Sequence, residues 1–218
     1  MIDLHTHSLL SDGVLLPSEL CRRAEVKGVR AIAITDHVDY SNVDFVLSGI
    51  LRACEAGCNF GSLQAIPGAE ITHVPPRGIA RLAEYARELG ARIVVVHGET
   101  IAEPVAPGTN RAALESDIDI LAHPGLISEE EVRLAAERGI VLEISTRRGH
   151  SLTNGHVAAL ARRFSVRLIL NTDAHGPEDL ISSDEARRIA LGAGLSEEEV
   201  EGMFRNAMGI AARIRGDV

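Results

Sequence analysis

The chain has 218 residues, 45% of them apolar and 24% charged, and carries a formal charge of −9. That length suits one large α/β domain. The composition is that of an ordinary globular protein, with no apolar run long enough to span a bilayer. The acidic balance argues against a chain that grips long nucleic acid, which needs a basic stripe to displace counterions. It does not exclude an anionic substrate, because bound divalent cations would add positive charge where a phosphate sits. Aromatic residues make up only 3% and Trp is absent, so the core must be aliphatic. Cys21, Cys54 and Cys58 are too few and too odd in number for a disulfide framework. Cys54 and Cys58, four apart in a helical segment, read as small buried thiols rather than a metal pair. Neither a basic nor an apolar leader follows Met1, so no signal peptide and a cytoplasmic location are expected.

In chain order, short runs of Ile, Val, Leu and Ala predict strands at 2–4, 31–35, 64–71, 92–96, 118–122, 141–145 and 167–171, each patterned for burial on both faces. Between them, helices are predicted at 17–27, 44–58, 77–89, 110–116, 128–138, 156–164 and 184–191. Pro17 suits a first turn, and Ser128 before three Glu suits an N-cap. Gly28, Gly90 and Gly139 stand where left-handed C-caps are needed. The tail, 196–216, adds a helix capped by Ser196 and then a further apolar, Arg-studded helix. Seven β/α alternations without a break predict a single domain over 1–218, an α/β fold whose parallel sheet is closed or nearly closed as a barrel.

The ionisable residues concentrate at the strand ends. His5 and His7 follow the first strand, Asp36 and His37 the second, and Glu70 ends the third. His97 and His123 close the fourth and fifth, and Asp173 and His175 follow the seventh. In a parallel barrel all these ends open on one mouth, and His-x-His places two rings on one face of an extended chain. A lone His at a strand end is usually a satisfied structural group. Scattered core histidines, however, have no reason to favour the same end of five strands. Imidazoles with carboxylates suit zinc, manganese or iron.

Taken in order, His5-x-His7, Asp12-Gly13, Thr35-Asp36-His37, Gly68-Ala69-Glu70, His97, His123-Pro124 and Asp173-x-His175 resemble the polymerase and histidinol phosphatase (PHP) family. The resemblance implies a distorted seven-stranded (β/α)7 TIM-like barrel with two to three divalent ions. His5, His7, Glu70 and Asp173 would hold the first. Asp12, His37 and His175 would hold the second, and a bridging Glu70 with His97 and His123 the third. Where some relatives carry His, this chain has Asp12, an oxygen donor that shifts preference toward manganese or iron. Asp36 would orient a ligand His from outside the ligand set. The segment Arg147-Arg148-Gly149-His150, with Asn154 beyond it, is similar to that of compact bacterial PHP phosphatases. Arg147 or Arg148 would clamp phosphate there, the plain alternative being a solvated pair. His73 is a candidate substrate contact and Arg77 a weaker one. Glu143 is either structural or lines the mouth, and His150 and His156 read as surface residues.

The resemblance implies hydrolysis of a small phosphomonoester, in the manner of a histidinol-phosphate phosphatase, by a metal-bound water set among Glu70, Asp173 and His175. A nucleotide phosphodiesterase or 3′-end nuclease is the alternative. A non-catalytic barrel subunit is disfavoured because every ligand position is filled. An amidohydrolase, the neighbouring barrel chemistry, fits less well: the only lysine, Lys27, lies in a helix and is no candidate for carbamylation. The expected partner is a small phosphorylated substrate, with neither membrane nor long nucleic acid.

Overall fold

The computed structural model describes residues 1–58, 61 and 63–216. Its strands are β1 (Ile2–Asp3), β2 (Ala31–Ile34), β3 (His37–Val38), β4 (Gln64–Ile71), β5 (Ile93–His97), β6 (Ile120–Ala122), β7 (Val141–Ser145) and β8 (Leu168–Asn171). All pair in parallel, in the order β1-β2-β4-β5-β6-β7-β8, with β3 beside β4. β2 pairs with residues 64–67 of β4 and β3 with residues 70–71. β3 therefore continues the line of β2 beyond Thr35 and Asp36, and the sheet occupies seven positions as expected.

The two edges of the sheet meet through main chain and side chains together. Thr6 bridges Ala174 in parallel. The Asp173 N–H donates to the His5 carbonyl at 2.9 Å and the His7 N–H to the Ala174 carbonyl at 2.8 Å. Below this bridge, buried Asp3 accepts the Thr172 N–H at 3.1 Å and its hydroxyl at 2.6 Å, while Asn171 Oδ1 accepts the Leu4 N–H at 2.9 Å. Burial pushes the Asp3 carboxyl up to about 6 against these hydrogen bonds. Because Asp3 ties the first strand to the last, Asp3→Ala is expected to destabilise the chain by about 2–3 kcal/mol, the scale for losing buried hydrogen bonds to a charged acceptor. Urea unfolding checks this; an unchanged midpoint would show that the seam holds without it.

The helices are α1 (Pro17–Val26), α2 (Val43–Arg52), α3 (Pro76–Glu88), α4 (Thr109–Leu114), α5 (Glu129–Arg138), α6 (Asn154–Phe164), α7 (Ser183–Gly192) and α8 (Glu197–Arg215). Alternation along the strands divides the core in two. Leu4, Ile66, Ile93, Val95, Ile120 and Ile169 pack inside the barrel and rest on Ala207, Ile210 and Ala211 of α8. Ile32, Val94, Val96, Leu121 and Leu142 face outward against the surrounding helices. Ser128, Ser182 and Ser196 each form a capping box with the Glu three residues on, satisfying backbone N–H groups that the first turn leaves unpaired.

Two helical expectations change. The helix expected over 44–58 ends at Arg52 and passes into a π-helical turn, Ala53–Gly57, which places Cys58 against Cys21 rather than on one helix face with Cys54. The tail forms one helix instead of two. Gly202 and Gly209 do not break α8, because Val200, Met203, Ala207, Ile210 and Ala211 recur at helical spacing and bury a continuous face; packing of that face overrides the cost of glycine. Among the described residues, no helix is long and apolar enough to cross a membrane.

Candidate metal centre

All nine side chains anticipated as ligands meet at the C-terminal mouth of the barrel. Glu70, at the end of β4, stands at their centre. Its Oε1 lies 3.3 Å from His5 Nε2, 3.4 Å from His97 Nδ1 and 3.5 Å from His123 Nε2. Its Oε2 lies 2.7 Å from His37 Nδ1 and 3.5 Å from His7 Nε2. Asp173 Oδ1 approaches His7 Nε2 at 3.0 Å and His5 Nε2 at 3.6 Å. Asp12 Oδ1 approaches His175 Nε2 at 3.2 Å and His37 Nε2 at 3.5 Å. Donor atoms within 4.8 Å of one another form the groups His5-His7-Glu70, His5-His123-Asp173, His7-Asp12-His37-His175 and Glu70-His97-His123. The second and third expected sets recur, with His7 added to the second; the expected first set divides, Asp173 grouping with His5 and His123, and His73-His97-Glu103 forms a further group.

The electrostatics suit cations. His5, His7 and Glu70 have no solvent exposure. Both nitrogens of His7 and His97, both oxygens of Glu70, and Asp173 Oδ1 are buried without a hydrogen-bond partner, although buried polar atoms are normally paired. Burial and the neighbouring His37 push the His7 ring down to about 3, which keeps it neutral and able to donate a lone pair. Burial acts to raise Glu70 as well, but the surrounding histidines, His5 and His37 foremost, hold it well below the usual carboxylate range. Strain collects here too. Among the described residues, three of the four non-glycine residues with positive φ are His73 (53°), His123 (27°) and Asp173 (52°), a distribution typical of functional sites. Gly98 and Gly125 make the mouth compact: a Cβ on Gly98 would lie 2.4 Å from the Ala122 carbonyl oxygen, and one on Gly125 1.8 Å from that of Glu99.

A family model described as PHP domain matches residues 3–115. The chain belongs to the PHP-domain family. A relative from Methanocaldococcus jannaschii whose function is uncharacterized is 49% identical, over 91% of this chain and 92% of that one. Ribonuclease P protein component 3 of Methanosarcina mazei is 32% identical, over 86% and 79%. A probable phosphatase of Thermoanaerobacter sp. is 26% identical, over 92% and 89%. Among solved structures, a chain of archaeal ribonuclease P with mature tRNA superposes with a TM-score of 0.74 at 18% identity, covering 98% of this chain and 91% of that one. The last likeness concerns the fold alone.

Around the PHP core, several side chains differ from expectation. Glu143 is structural: its Oε2 pairs with His5 Nδ1 at 2.8 Å and accepts from Asn171 Nδ2 at 2.9 Å, leaving His5 Nε2 aimed at the centre. Asp36 lies outside the ligand set, but it orients no ligand His. It accepts the Ser8 N–H at 2.8 Å and the hydroxyls of Ser8 and Ser11, each at 2.7 Å, bracing the loop between His7 and Asp12. Arg147 lines the mouth, with Nη1 3.1 Å from the Asp173 carbonyl oxygen and 2.5 Å from His175 Nδ1. Arg148 and Arg77 point to solvent.

His150 is not a surface residue. Gly149, at φ 93°, turns the chain into a short 3-10 segment, His150–Thr153, that folds the ring inward. The ring is 4% exposed, stacked on His123 at 4.1 Å, with Nδ1 2.8 Å from Thr100 Oγ1. His156 remains outside, bonded to the Ile127 carbonyl at 2.8 Å. Glu103, in the loop after β5, went unanticipated. One of its oxygens lies 3.2 Å from His97 Nε2 and 3.3 Å from His73 Nε2, and the other 3.5 Å from His150 Nε2. The adjacent His97 ring draws its carboxyl down to about 2. Nothing in the sequence pattern marks Glu103; only the fold of its loop brings it to the rings.

Proposed function

We propose that this chain is a metal-dependent phosphoesterase whose substrate is a small phosphomonoester. The reading is carried by the eight histidine and carboxylate donors that gather with Glu70 in one mouth. Membership of the PHP family and the relative named as a probable phosphatase support it. The donors fit divalent cations, because so many of them are buried, mutually facing and otherwise unpaired. His5, His7, Glu70 and Asp173 would hold one ion, Asp12, His37 and His175 a second, and Glu70, His97 and His123 a third. Such ions, zinc, manganese or iron by their donors, would supply Lewis acidity toward a phosphoryl oxygen and lower the pKa of water.

The chain's own residues do the rest. Glu70 and Asp173, each facing several rings, set the spacing of the donors. Glu143 and Glu103 fix the planes of His5 and His97. Arg147 offers a guanidinium at the rim for a phosphoryl oxygen. The cavity is about 370 Å³, lined among others by Asp12, His73, Glu103, Arg147 and His150, near the small end of the roughly 300–1,000 Å³ range of ligand sites. That volume favours a monoester with a small leaving group. Arg147→Ala is expected to raise KM about tenfold or more, and Arg148→Ala to leave it within about twofold. Equal effects from both would withdraw the rim role from Arg147.

A second reading, phosphodiester cleavage or an RNA-associated role, is favoured by the relative named as a ribonuclease P component; against that relative, acidic composition alone is a weak ground for excluding RNA. Comparing p-nitrophenyl phosphate with bis-p-nitrophenyl phosphate, in defined manganese or zinc, separates the readings. Faster turnover of the monoester supports the proposal, and a panel of phosphorylated metabolites including histidinol phosphate then names the substrate. A preference for the diester overturns it in favour of a phosphodiesterase. Absence of both activities in metal-loaded protein leaves a non-catalytic barrel.

A further inference from the structure

The molecule's charge is unevenly distributed. At the N-terminal end of the barrel, opposite the mouth, Arg87, Arg92, Arg138, Arg167 and Arg213 surround one cleft of about 430 Å³, with Asp117 and Asp119 as its carboxylates. Five guanidinium groups thus face two acids, in a chain whose overall balance is −9. Part of this is ordinary helix chemistry. Arg87, Arg138 and Arg213 lie in the last turns of α3, α5 and α8, where cations offset the helix dipole. Arg92 and Arg167 have no such reason; they stand just ahead of β5 and β8.

The cleft is built rather than incidental. Asp119 accepts from Arg87 at 2.6 Å, from Arg213 at 3.0 Å and from the Val94 N–H at 2.9 Å, so it fixes two guanidinium groups and one strand together. The other three are steered by main-chain carbonyls: Arg92 by Ile214 at 3.0 Å, Arg138 by Glu115 at 3.3 Å, and Arg167 by Gly139. A carbonyl orients a guanidinium without neutralising it, and most of its five N–H donors stay free. Arg92, Arg138 and Arg167 have no ion-pair partner among the described residues. Side chains oriented in this way lose less conformational entropy on binding an anion than free ones, and the planar fork matches phosphate oxygens two at a time.

We infer that this cleft is a second anion site, independent of the metal centre, that binds linked phosphates: a phosphodiester backbone or a free polyphosphate. One phosphate would leave most of the volume and several donors unused, which is why the ligand is assigned more than one. The site does not rest on the hydrolytic reading, and a chain without phosphoesterase activity would still carry it.

The test uses the full chain with EDTA present, repeated in an Arg147→Ala background, so that neither bound metal nor the guanidinium of the mouth holds the probe. Binding of inorganic tripolyphosphate is followed by calorimetry and binding of a short labelled single-stranded RNA by anisotropy, at about 50 mM and about 200 mM salt. Arg138→Ala/Arg167→Ala removes two guanidinium groups that hold no carboxylate, and Arg92→Gln provides an independent variant; circular dichroism confirms that each is folded. The double variant should weaken binding about tenfold or more and reduce the slope of log RNA affinity against log salt by about 1.4. Arg92→Gln should reduce that slope by about 0.7. Binding of RNA without tripolyphosphate identifies the backbone as the ligand, the reverse identifies a free anion, and binding of both supports the shared chemistry. Failure of the wild-type chain to bind either probe at the lower salt, or unchanged affinity and slope in folded variants, overturns the inference.

Discussion

The His7→Ala protein is expected to lose at least about a thousandfold in phosphoester turnover, the scale on which losing metal-assisted catalysis is felt, while keeping its fold. His7 belongs to two of the donor groups, with Nε2 3.0 Å from Asp173 and 3.5 Å from Glu70. Its loss opens both groups at once, and the remaining donors would have to close around a gap. The fold should survive for a separate reason. Neither ring nitrogen makes a hydrogen bond within the protein, and the N–H to the Ala174 carbonyl, which helps close the barrel, belongs to the backbone. The ring has no exposure and its environment disfavours protonation, so the metal-free chain gives up packing but no ion pair. Elemental analysis should show fewer ions per chain, with an unchanged circular dichroism spectrum. Wild-type turnover in a folded variant with a full metal complement would remove His7 from the centre.

Why could this site be read from the sequence while its surroundings could not? The candidate ligands stand at or just past strand ends, and a parallel barrel sends all those ends to one mouth whatever the details of packing. His5, His37, Glu70, His97, His123 and Asp173 therefore needed only correct strands, and buried runs such as that read at 92–96 made those legible. Glu103 and His150 sit on loops whose direction depends on contacts made elsewhere: Thr100 under His150, Gly149 turning it inward. Asp36 lay next to a ligand in sequence, but its hydrogen bonds go to serines on a neighbouring loop. Charge was legible only as a sum. The −9 that argued against polyanions averages an acidic mouth with the arginines at the opposite end, and the averaging hides both. Long-range steering responds to the local field rather than the total.

Stripping the metals with a chelator is expected to abolish turnover, to lower the thermal midpoint and to reverse its dependence on pH. Ions that bind only the folded chain stabilise it by mass action, so their removal must cost stability. In the metal-free protein the histidines are held by carboxylates instead. Burial opposes protonation of His37, but Glu70 and Asp12 outweigh it and push the ring up to about 10. Burial likewise opposes His97, and Glu103 and Glu70 raise it to about 9. A group whose pKa is higher folded than unfolded contributes its full stability below the unfolded value, near 6.5 for His, and loses it as pH climbs through the folded value. The metal-free midpoint should therefore fall between pH 6.5 and 9. His7, pushed down to about 3, and Asp3, at about 6, titrate mainly below that window and leave the sign intact. With manganese or zinc present the order inverts, because cations compete with protons for the same nitrogens; the midpoint should rise from about pH 5.5 to 7.5, and activity with it. Differential scanning fluorimetry with EDTA and with added metal reads both limbs. A metal-free midpoint that rises with pH would refute the carboxylate pairing of His37 and His97, and hydrolysis that survives the chelator would remove metal ions from the reaction.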